Sequence, residues 1–339
     1  MGGDRLTEIS PMPYVLGVDA GNTKTIALVA RPDGTILGTG RGGCGDIYEA
    51  ASTEAALTTI EDAVTNALNE AGVGARDLIA GGFSMAGADW PEDYNLLRTE
   101  IGRRGFGRRL IVVNDAIGAL RAGSPDGTGV SIGCGTYVAI GARAPDGRTW
   151  HHSWWLQSGG ARELGARTLR AVYRAELDID PPTALTEKVL GFFDQRSVED
   201  VLHLLTARDA MQPVDVGRLA RLLLDAAEDG DGTAQRIVQE HGAMLGDYAL
   251  AAARRVGIER FALELVLAGG VFRHPSHTHV DSIVARMREK IPQVHAVRSR
   301  FEPSVGALFL ALEHAGITID KHLLARLIDS MPSTILFAT

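Results

Sequence analysis

The chain has 339 residues, of which 45% are hydrophobic and 22% charged, and its formal net charge is −8. This length predicts about two domains, and the acidic balance argues against a general binder of nucleic acid or of an anionic membrane, which needs a basic surface. The two cysteines, Cys44 and Cys134, form neither a metal-binding spacing nor a disulfide framework, which favours a reducing compartment.

The first twelve residues are interpreted as a loose leader, and they lack the apolar segment of a signal peptide. No later stretch approaches the roughly 20 apolar residues that span a bilayer. We therefore expect a cytoplasmic protein with no membrane partner.

A strand, a glycine turn and a returning strand open the folded part of the chain. The segment 13–35 reads PYVLGVDAGNTKTIALVARPDGT, with an apolar run on each side of the turn and a Pro-Asp-Gly stop. Apolar residues at helical spacing then predict a helix over 52–71. Buried strands are predicted at 77–88 and 110–116, and a short helix over 116–122.

The second half repeats this plan. The segment 128–148, TGVSIGCGTYVAIGARAPDGR, is a second hairpin with a Gly-Thr turn and a Pro-Asp-Gly stop. A mainly helical stretch follows, including a short helix over 168–173, and 262–272 reads as a buried strand that ends in a Gly-Gly turn. Further on, the pattern predicts a helix over 279–290, a short strand and an alanine-rich helix over 303–315.

The alternation of strands and helices predicts two α/β domains, at 1–116 and 117–339, with a C-terminal tail that is able to pack on the first. Each glycine turn places bare backbone N–H groups and a threonine hydroxyl at the tip of a hairpin. Taken singly, such glycines are explained by hairpin geometry alone. Two matching copies, with a third glycine signal in LVLAGGVF, favour nucleotide binding.

The order of four motifs, VDAGNTKT, VVNDAIGAL, SIGCGT and LVLAGGV, resembles the actin-like ATPase and sugar kinase superfamily. Within it, the chain resembles the family that joins N-acetylglucosamine kinases with the BadF/BadG/BcrA/BcrD-type activator ATPases of benzoyl-CoA reductase, over 14–316. The resemblance implies an α/β protein of two ribonuclease-H-like domains with a central cleft for ATP. It further implies an ATP-dependent kinase of a sugar or amino sugar that uses Mg²⁺, and we expect a homodimer.

By this resemblance, two turns hold the phosphates of ATP and a third holds its adenosine. Their residues are Gly21, Asn22, Thr23 and Lys24; Gly133, Gly135 and Thr136; and Gly269, Gly270 and Val271. Asp19 would hold Mg²⁺ through water, since Mg²⁺ gives up its hydration reluctantly; by itself it also suits a turn-stabilising side chain. Asp115 would accept the proton of the sugar hydroxyl; by itself, Asn114-Asp115 before a helix also suits an N-cap pair.

The acceptor side departs from the family pattern. Asp46 stands where N-acetylglucosamine kinases carry an asparagine, and Glu163 is the carboxylate nearest to the place of an expected aspartate. An acidic Asp46 favours a free amine over an acetamide, so an amino sugar or aminocyclitol is the substrate hypothesis. The Trp154-Trp155 pair suits sugar stacking as well as packing. The other candidate sugar contacts are Gly87, Ala88, Asn114, Trp155 and Gly159.

Two other functions remain open. An activator ATPase needs cysteines for an iron–sulfur cluster between two subunits, which the isolated Cys44 and Cys134 disfavour. A nucleotide-binding regulator of the same fold, without kinase activity, is the other alternative. The histidines of RHPSHTH, His274, His277 and His279, are interpreted as a polar surface loop rather than a metal site.

Overall fold

A computed structural model describes residues 13–156, 158–208 and 215–337. The leader predicted at 1–12 lies outside the described residues. The strands are β1 (Tyr14–Ala20), β2 (Thr25–Ala30), β3 (Ile36–Gly42), β4 (Leu78–Met85), β5 (Arg109–Asn114), β6 (Gly129–Cys134), β7 (Val138–Arg143), β8 (Thr149–His151), β9 (Leu263–Ala268) and β10 (Val294–Arg298). The helices are α1 (Thr53–Ala71), α2 (Pro91–Arg103), α3 (Asp115–Gly123), α4 (Ala161–Glu176), α5 (Leu185–Phe193), α6 (Val198–Thr206), α7 (Leu219–Glu228), α8 (Gly232–Val256), α9 (Thr278–Arg288), α10 (Pro303–His314) and α11 (Lys321–Asp329). No described helix is long and apolar enough to cross a membrane.

Two five-stranded mixed sheets share one plan. The first has the order β3-β2-β1-β4-β5, in which β1, β2 and β3 form an antiparallel meander and β4 and β5 run parallel to β1. The second has the order β8-β7-β6-β9-β10 with the same directions. The duplicated hairpin of the sequence is thus the β1-β2 pair of one sheet and the β6-β7 pair of the other, and the predicted α/β class is confirmed.

Glycine at position 17 lets α10 pack directly on β1. Neighbouring residues of a strand point to opposite faces, and Leu16 and Val18 join the buried cluster that includes α1. Gly17 points to the other face, where a Cβ atom would lie 2.5 Å from the backbone nitrogen of Leu308 in α10. The first sheet is therefore covered by α1 on one face and by α10 on the other.

The chain divides into two compact units. Unit 1 runs to Gly118 and resumes at Glu302, and unit 2 is Ala119–Phe301. The sequence prediction gave 117–339 to the second domain, whereas α10 and α11 belong to unit 1. The reason is that α10 is buried from Ser304 to Leu312, and its packing partners are strands of the first sheet.

The tail after α10 also packs on unit 1. Arg326 in α11 lies 2.8 Å from the Asp33 carboxylate in the turn between β2 and β3. The backbone N–H of Ile36 at the start of β3 donates to the Ser330 hydroxyl at 2.9 Å. The C-terminal segment therefore closes over the β2-β3 edge of the first sheet.

Several elements were not predicted from apolar spacing, namely α2, α5, α11 and β8. In α2 the buried apolar residues are only Leu97 and Ile101, so its stripe is too weak to detect. The strand predicted over 262–272 ends at Ala268, because Gly269 has a φ of 95° and turns the chain into a short 3₁₀ helix. The helix predicted over 168–173 is the middle of a longer α4.

Candidate active site

The first glycine turn joins β1 to β2 in unit 1. The N–H of Gly21 donates to the Lys24 carbonyl at 3.0 Å, and the Gly21 carbonyl accepts from the N–H of Gly45 at 3.0 Å. A Cβ atom on Gly21 would lie 3.4 Å from the Lys24 oxygen, its nearest neighbour among the described residues. The Lys24 ammonium donates to the backbone carbonyl of Phe337 in the tail. The turn is therefore fixed by its hydrogen bonds to Gly45 and to the tail, while its glycine leaves room for a ligand to approach.

Asp19 and Asp115 come together because β1, β4 and β5 are parallel neighbours, whose carboxyl ends meet at one edge of the sheet. Asp19 is aligned with Ser84 in β4, and Asp115 directly follows β5. The Ser84 hydroxyl donates to Asp19 Oδ1 at 3.3 Å and lies 3.5 Å from the backbone carbonyl oxygen of Asp115. The topology thus places two carboxylates beside the first turn.

Both carboxylates are surrounded by protein and remain partly accessible. Burial raises the pKa of Asp19 to about 7, although the positive charge of Lys24 acts in the opposite direction. Burial, together with the negative charges of Asp19, Asp89 and Asp46, raises the pKa of Asp115 to about 7. A carboxylate with a pKa near neutrality has the acidity that a general base needs at physiological pH.

Asp46 is held in a defined orientation by two donors. Asn22 of the first turn donates to Asp46 Oδ2 at 2.8 Å, and the N–H of Tyr48 donates to Oδ1 at 2.9 Å. Burial raises the pKa of this carboxyl group. A Cβ atom on Gly87 would lie 2.7 Å from Asp46 Oδ1, so the loop after β4 lies directly against this side chain.

Asn114 connects the same loop to the catalytic candidate. Its side-chain amide donates to the Ala88 carbonyl at 3.3 Å and to Asp89 Oδ1 at 3.2 Å. Its Oδ1 accepts from the N–H of Ala116 at 3.1 Å, which is a local cap of α3. Asn114 therefore combines the capping role with a link between Asp115 and the candidate acceptor loop.

The second glycine turn lies in unit 2 under the start of α4. The N–H of Gly135 donates to the Tyr137 carbonyl at 2.9 Å, which closes the turn. The N–H of Ala161 donates to the Gly135 carbonyl at 2.8 Å, and that of Arg162 donates to the Thr136 carbonyl at 3.3 Å. The first residues of α4 thereby fix the position of the turn.

The Gly-Gly turn after β9 is packed against the second turn. A Cβ atom on Gly269, whose φ is 95°, would lie 2.6 Å from the Cys134 carbonyl oxygen, so the two turns touch along their backbones. The Val271 side chain, in the same turn, is buried. At Gly270 a Cβ atom would meet no atom of the described residues within 4 Å. The predicted adenosine turn is thus adjacent to the predicted phosphate turn, with open space at Gly270.

Three candidate sugar contacts lie in unit 2. Glu163 accepts from the Arg167 Nε at 2.8 Å and from the Ser158 hydroxyl. Burial alone would raise its pKa, but these hydrogen bonds and the Arg167 charge outweigh burial and lower it. Trp155 is 67% exposed, and Gly159 has a φ of 126° beside the start of α4. The remaining candidates, Asp46, Gly87, Ala88 and Asn114, lie in unit 1.

A buried histidine pair holds the Gly159 turn. His241 Nε2 lies 2.8 Å from the Gly159 carbonyl oxygen, and its Nδ1 lies 2.9 Å from His279 Nε2. Since the Gly159 carbonyl oxygen can only accept, His241 donates to it through Nε2. His241 Nδ1 then accepts a hydrogen bond from His279 Nε2. Phe272 stacks on the His279 ring at 5.4 Å. Burial lowers the pKa of His241 to about 4 and that of His279 to about 3, so both rings are neutral at pH 7.

The interpretation of the RHPSHTH histidines as a surface loop is wrong for His279, which is 2% exposed. Its burial depends on α8, 38 residues earlier in the chain, which no local pattern could reveal. A usable signal existed at His241, which lies four residues after Ile237 in the mainly helical stretch and so falls on the same helix face as that apolar residue. His274 instead lies 2.9 Å from the Asp225 carboxylate.

The histidine pair makes stability depend on pH. Unfolded histidine binds a proton near pH 6.5, whereas the folded pair resists protonation down to about pH 4, so acidification from pH 7 to 4.5 lowers the free energy of unfolding. His241→Gln keeps a donor for Gly159 and removes the titrating ring. We expect its loss of unfolding free energy between these pH values to be smaller than that of the wild type by about 2 kcal/mol. Urea unfolding at both pH values measures this difference.

The control for this experiment is His203→Gln, because His203 is an exposed histidine on α6. It should lose as much unfolding free energy on acidification as the wild type does. An equal loss in His241→Gln and the wild type would contradict the assignment.

The chain is similar to known proteins over most of its length. A family model described as the BadF/BadG/BcrA/BcrD ATPase family matches residues 16–311. The N-acetylmuramic acid/N-acetylglucosamine kinase of Clostridium acetobutylicum is 24% identical over 304 residues, which cover 88% of this chain and 98% of the relative. The glucosamine kinase of Vibrio cholerae is 23% identical over 262 residues, covering 74% and 84%.

Among solved structures, the ROK family glucokinase of Streptomyces griseus, in complex with glucose and AMPPNP, is similar with a TM-score of 0.58. It is 19% identical, and the match covers 88% of this chain and 99% of the glucokinase. At this identity the likeness shows the fold alone.

Proposed function

The chain belongs to the BadF/BadG/BcrA/BcrD ATPase family, and from this premise we propose that it is an ATP-dependent kinase that phosphorylates a hydroxyl group of a sugar or amino sugar. The observation that carries the proposal is the Asp115 carboxylate, which follows β5 beside Asp19 and the first glycine turn. Sugar kinases among its relatives support the assignment.

Two glycine turns suit the phosphate groups of ATP. Gly21 and Gly135 leave space at the tips of their turns, and backbone N–H groups of such turns bind anions without a basic surface. This explains how a chain of net charge −8 would bind a nucleotide. The Gly269–Gly270 turn, packed on Cys134, would contribute the adenosine contact.

The surroundings of Asp19 suit a Mg²⁺ ion whose other ligands are water molecules and the phosphate groups of ATP. Among the described residues, no group of three or more His, Cys, Asp or Glu side chains is placed to hold a metal ion. Mg²⁺ commonly keeps several waters and binds one or two carboxylates together with substrate phosphates, so Asp19 would be its protein contact. When bound, the ion supplies charge neutralisation at the phosphate oxygens.

Asp115 would act on the acceptor hydroxyl. As the hydroxyl oxygen forms a bond to the γ-phosphorus, the bond from that phosphorus to the β,γ-bridging oxygen breaks and ADP leaves. The hydroxyl proton passes to the Asp115 carboxylate. Asn114, which precedes Asp115 in the chain, would hold the Ala88–Asp89 loop close to it through two hydrogen bonds.

Asp46 is proposed to select a free amine. Asp46→Asn keeps the shape of the side chain and removes the charge that would pair with an ammonium group. We expect the ratio of kcat/KM for glucosamine to that for N-acetylglucosamine to fall by about tenfold or more, since about 1.4 kcal/mol corresponds to tenfold. Steady-state assays with both sugars measure the ratio. Asp62→Asn, an exposed change on α1, should leave the ratio unchanged; an unchanged ratio in Asp46→Asn would remove the free-amine hypothesis.

An ATP-consumption screen across hexoses, amino sugars, N-acetyl sugars and cyclitols tests the function itself. A kinase consumes ATP only when its acceptor is present and yields a phosphorylated product. ATP binding without turnover for any acceptor would instead favour the nucleotide-binding regulator. That the protein is a homodimer and that it is cytoplasmic both stay predictions. Gel filtration would check the first and cell fractionation the second.

The activator ATPase is disfavoured by the environment of Cys134. Burial raises the pKa of this thiol to about 12, whereas iron–sulfur clusters are held by thiolates. Acceptor-independent ATP hydrolysis with a stable iron–sulfur absorption after anaerobic reconstitution would favour the activator function over the kinase.

A further inference from the structure

Two large aromatic side chains lie partly exposed on the candidate acceptor loops of unit 1. Tyr48 is 43% exposed and stands two residues after Asp46, whose carboxylate its N–H contacts at 2.9 Å. Trp90 is 47% exposed and directly follows Asp89, which contacts Asn114. Sequence analysis placed the aromatic sugar contact at Trp155 in unit 2 and did not single out either residue.

Both aromatic residues are tied to one buried carboxylate. Asp93 in the first turn of α2 is 6% exposed. The Tyr48 hydroxyl lies 3.0 Å from Asp93 Oδ1 and 2.9 Å from Oδ2. The N–H of Trp90 donates to Oδ2 at 2.8 Å, and that of Asp89 donates to Oδ2 at 3.3 Å. A helix cap accounts for the two backbone bonds, but the bond from Tyr48 comes from a loop 45 residues away.

From these contacts we infer that Tyr48 and Trp90 form an aromatic subsite for the ring of the acceptor, and that Asp93 is a positioning residue for both. The inference rests on the proposed function and deepens it. The C–H face of a pyranose or cyclitol ring packs on an aromatic side chain, while its hydroxyl and amino groups meet polar partners such as Asp46. Pinning Tyr48 by its hydroxyl orders the ring before the acceptor binds, which reduces the entropy that binding loses.

The chemistry of the ligand follows from the groups that lie next to the two aromatic residues. Asp46 and Asp89, each next to one aromatic residue, make the surroundings polar and acidic. A flat apolar ligand would exclude water from these two carboxylates without offering them a hydrogen-bond donor, at a cost in free energy. A hydroxylated ring with an amino substituent satisfies both the aromatic faces and the carboxylates.

The test compares acceptor and nucleotide kinetics with glucosamine as the probe. We expect Tyr48→Ala and Trp90→Ala each to raise the KM for glucosamine about tenfold, with kcat and the KM for ATP within twofold of the wild type. Trp90→Phe, which keeps a ring, should restore most of the affinity. Asp93→Ala should likewise raise the KM for glucosamine, and Asp93→Asn, which retains one acceptor oxygen, should restore part of it.

Phe261→Ala removes an exposed aromatic residue from unit 2, where Phe261 is 66% exposed, and is the control. An active Trp90→Ala enzyme whose KM for glucosamine stays within twofold of the wild type overturns the inference and leaves the proposed function intact. Failure of the wild type to phosphorylate any acceptor overturns the proposed function. In that case calorimetric titration with glucosamine decides: binding that Trp90→Ala loses and Trp90→Phe keeps supports the subsite, and an absence of wild-type binding rejects it.

Discussion

Asp115→Asn is expected to lower kcat by about a thousandfold, within the range that general-base catalysis contributes, while the Kd for ATP stays within twofold. Asparagine has the same shape but cannot take up the proton of the acceptor hydroxyl. It also removes one negative charge from the group that includes Asp19, Asp46 and Asp89, so it gives no electrostatic reason for weaker ATP binding. A coupled ADP assay and calorimetry measure the two quantities.

The pH dependence of the wild type provides a second measurement on the site, to which Asp19, with its pKa also raised to about 7, contributes together with Asp115. Because the pKa of Asp115 is raised to about 7, its carboxylate becomes protonated as the pH falls through neutrality. We therefore expect kcat/KM for ATP, which reports groups of the free enzyme, to fall below about pH 7 and to level off above it. Asp62→Asn should retain both the rate and the profile. Turnover at the wild-type rate in Asp115→Asn would remove Asp115 from the mechanism.

Gly135→Val is expected to raise the Kd for ATP about a hundredfold without unfolding the protein. The nearest atom to a Cβ at Gly135, among the described residues, is the Tyr137 oxygen at 4.0 Å, so the protein itself has room for a first side-chain atom. A phosphate group that approaches the turn backbone would be displaced, and the loss of about two charge-assisted hydrogen bonds corresponds to this change. Calorimetry gives the affinity and thermal melting reports the fold.

A matched control is available at Gly232, the first residue of α8, where a Cβ atom would meet no described atom within 4 Å. Gly232→Val should bind ATP as the wild type does. Gly21→Val applies the same change to the first turn, and Gly270→Val applies it to the adenosine turn. Wild-type ATP affinity in a folded Gly135→Val protein would separate the second turn from the nucleotide.

The repeated sheet could be predicted from the sequence because the responsible patterns are local. Each hairpin lies within about twenty consecutive residues and ends at a Pro-Asp-Gly turn, at 32–34 in the first and 145–147 in the second. Asp115 could be selected for the same reason, since a buried apolar strand immediately precedes it. These signals depend on neighbours in the chain, which a sequence displays directly.

Contacts between distant segments could not be predicted in this way. The bonds from Tyr48 to Asp93 and from His241 to His279 join residues 45 and 38 positions apart, and each depends on how whole helices and loops pack. The place of α10 in unit 1 has the same origin, since its uniformly apolar sequence indicates burial without indicating against which sheet.

The split composition of unit 1 has a consequence for biosynthesis. During translation, all strands of the second sheet emerge before α10 does, so unit 2 is able to form its core while the Gly17 face of the first sheet is still uncovered. Unit 1 therefore completes its fold only after the segment from Glu302 onward has been synthesised. A nascent chain stalled before that point exposes apolar β-sheet surface, which is the kind of surface that chaperones bind and proteases exploit.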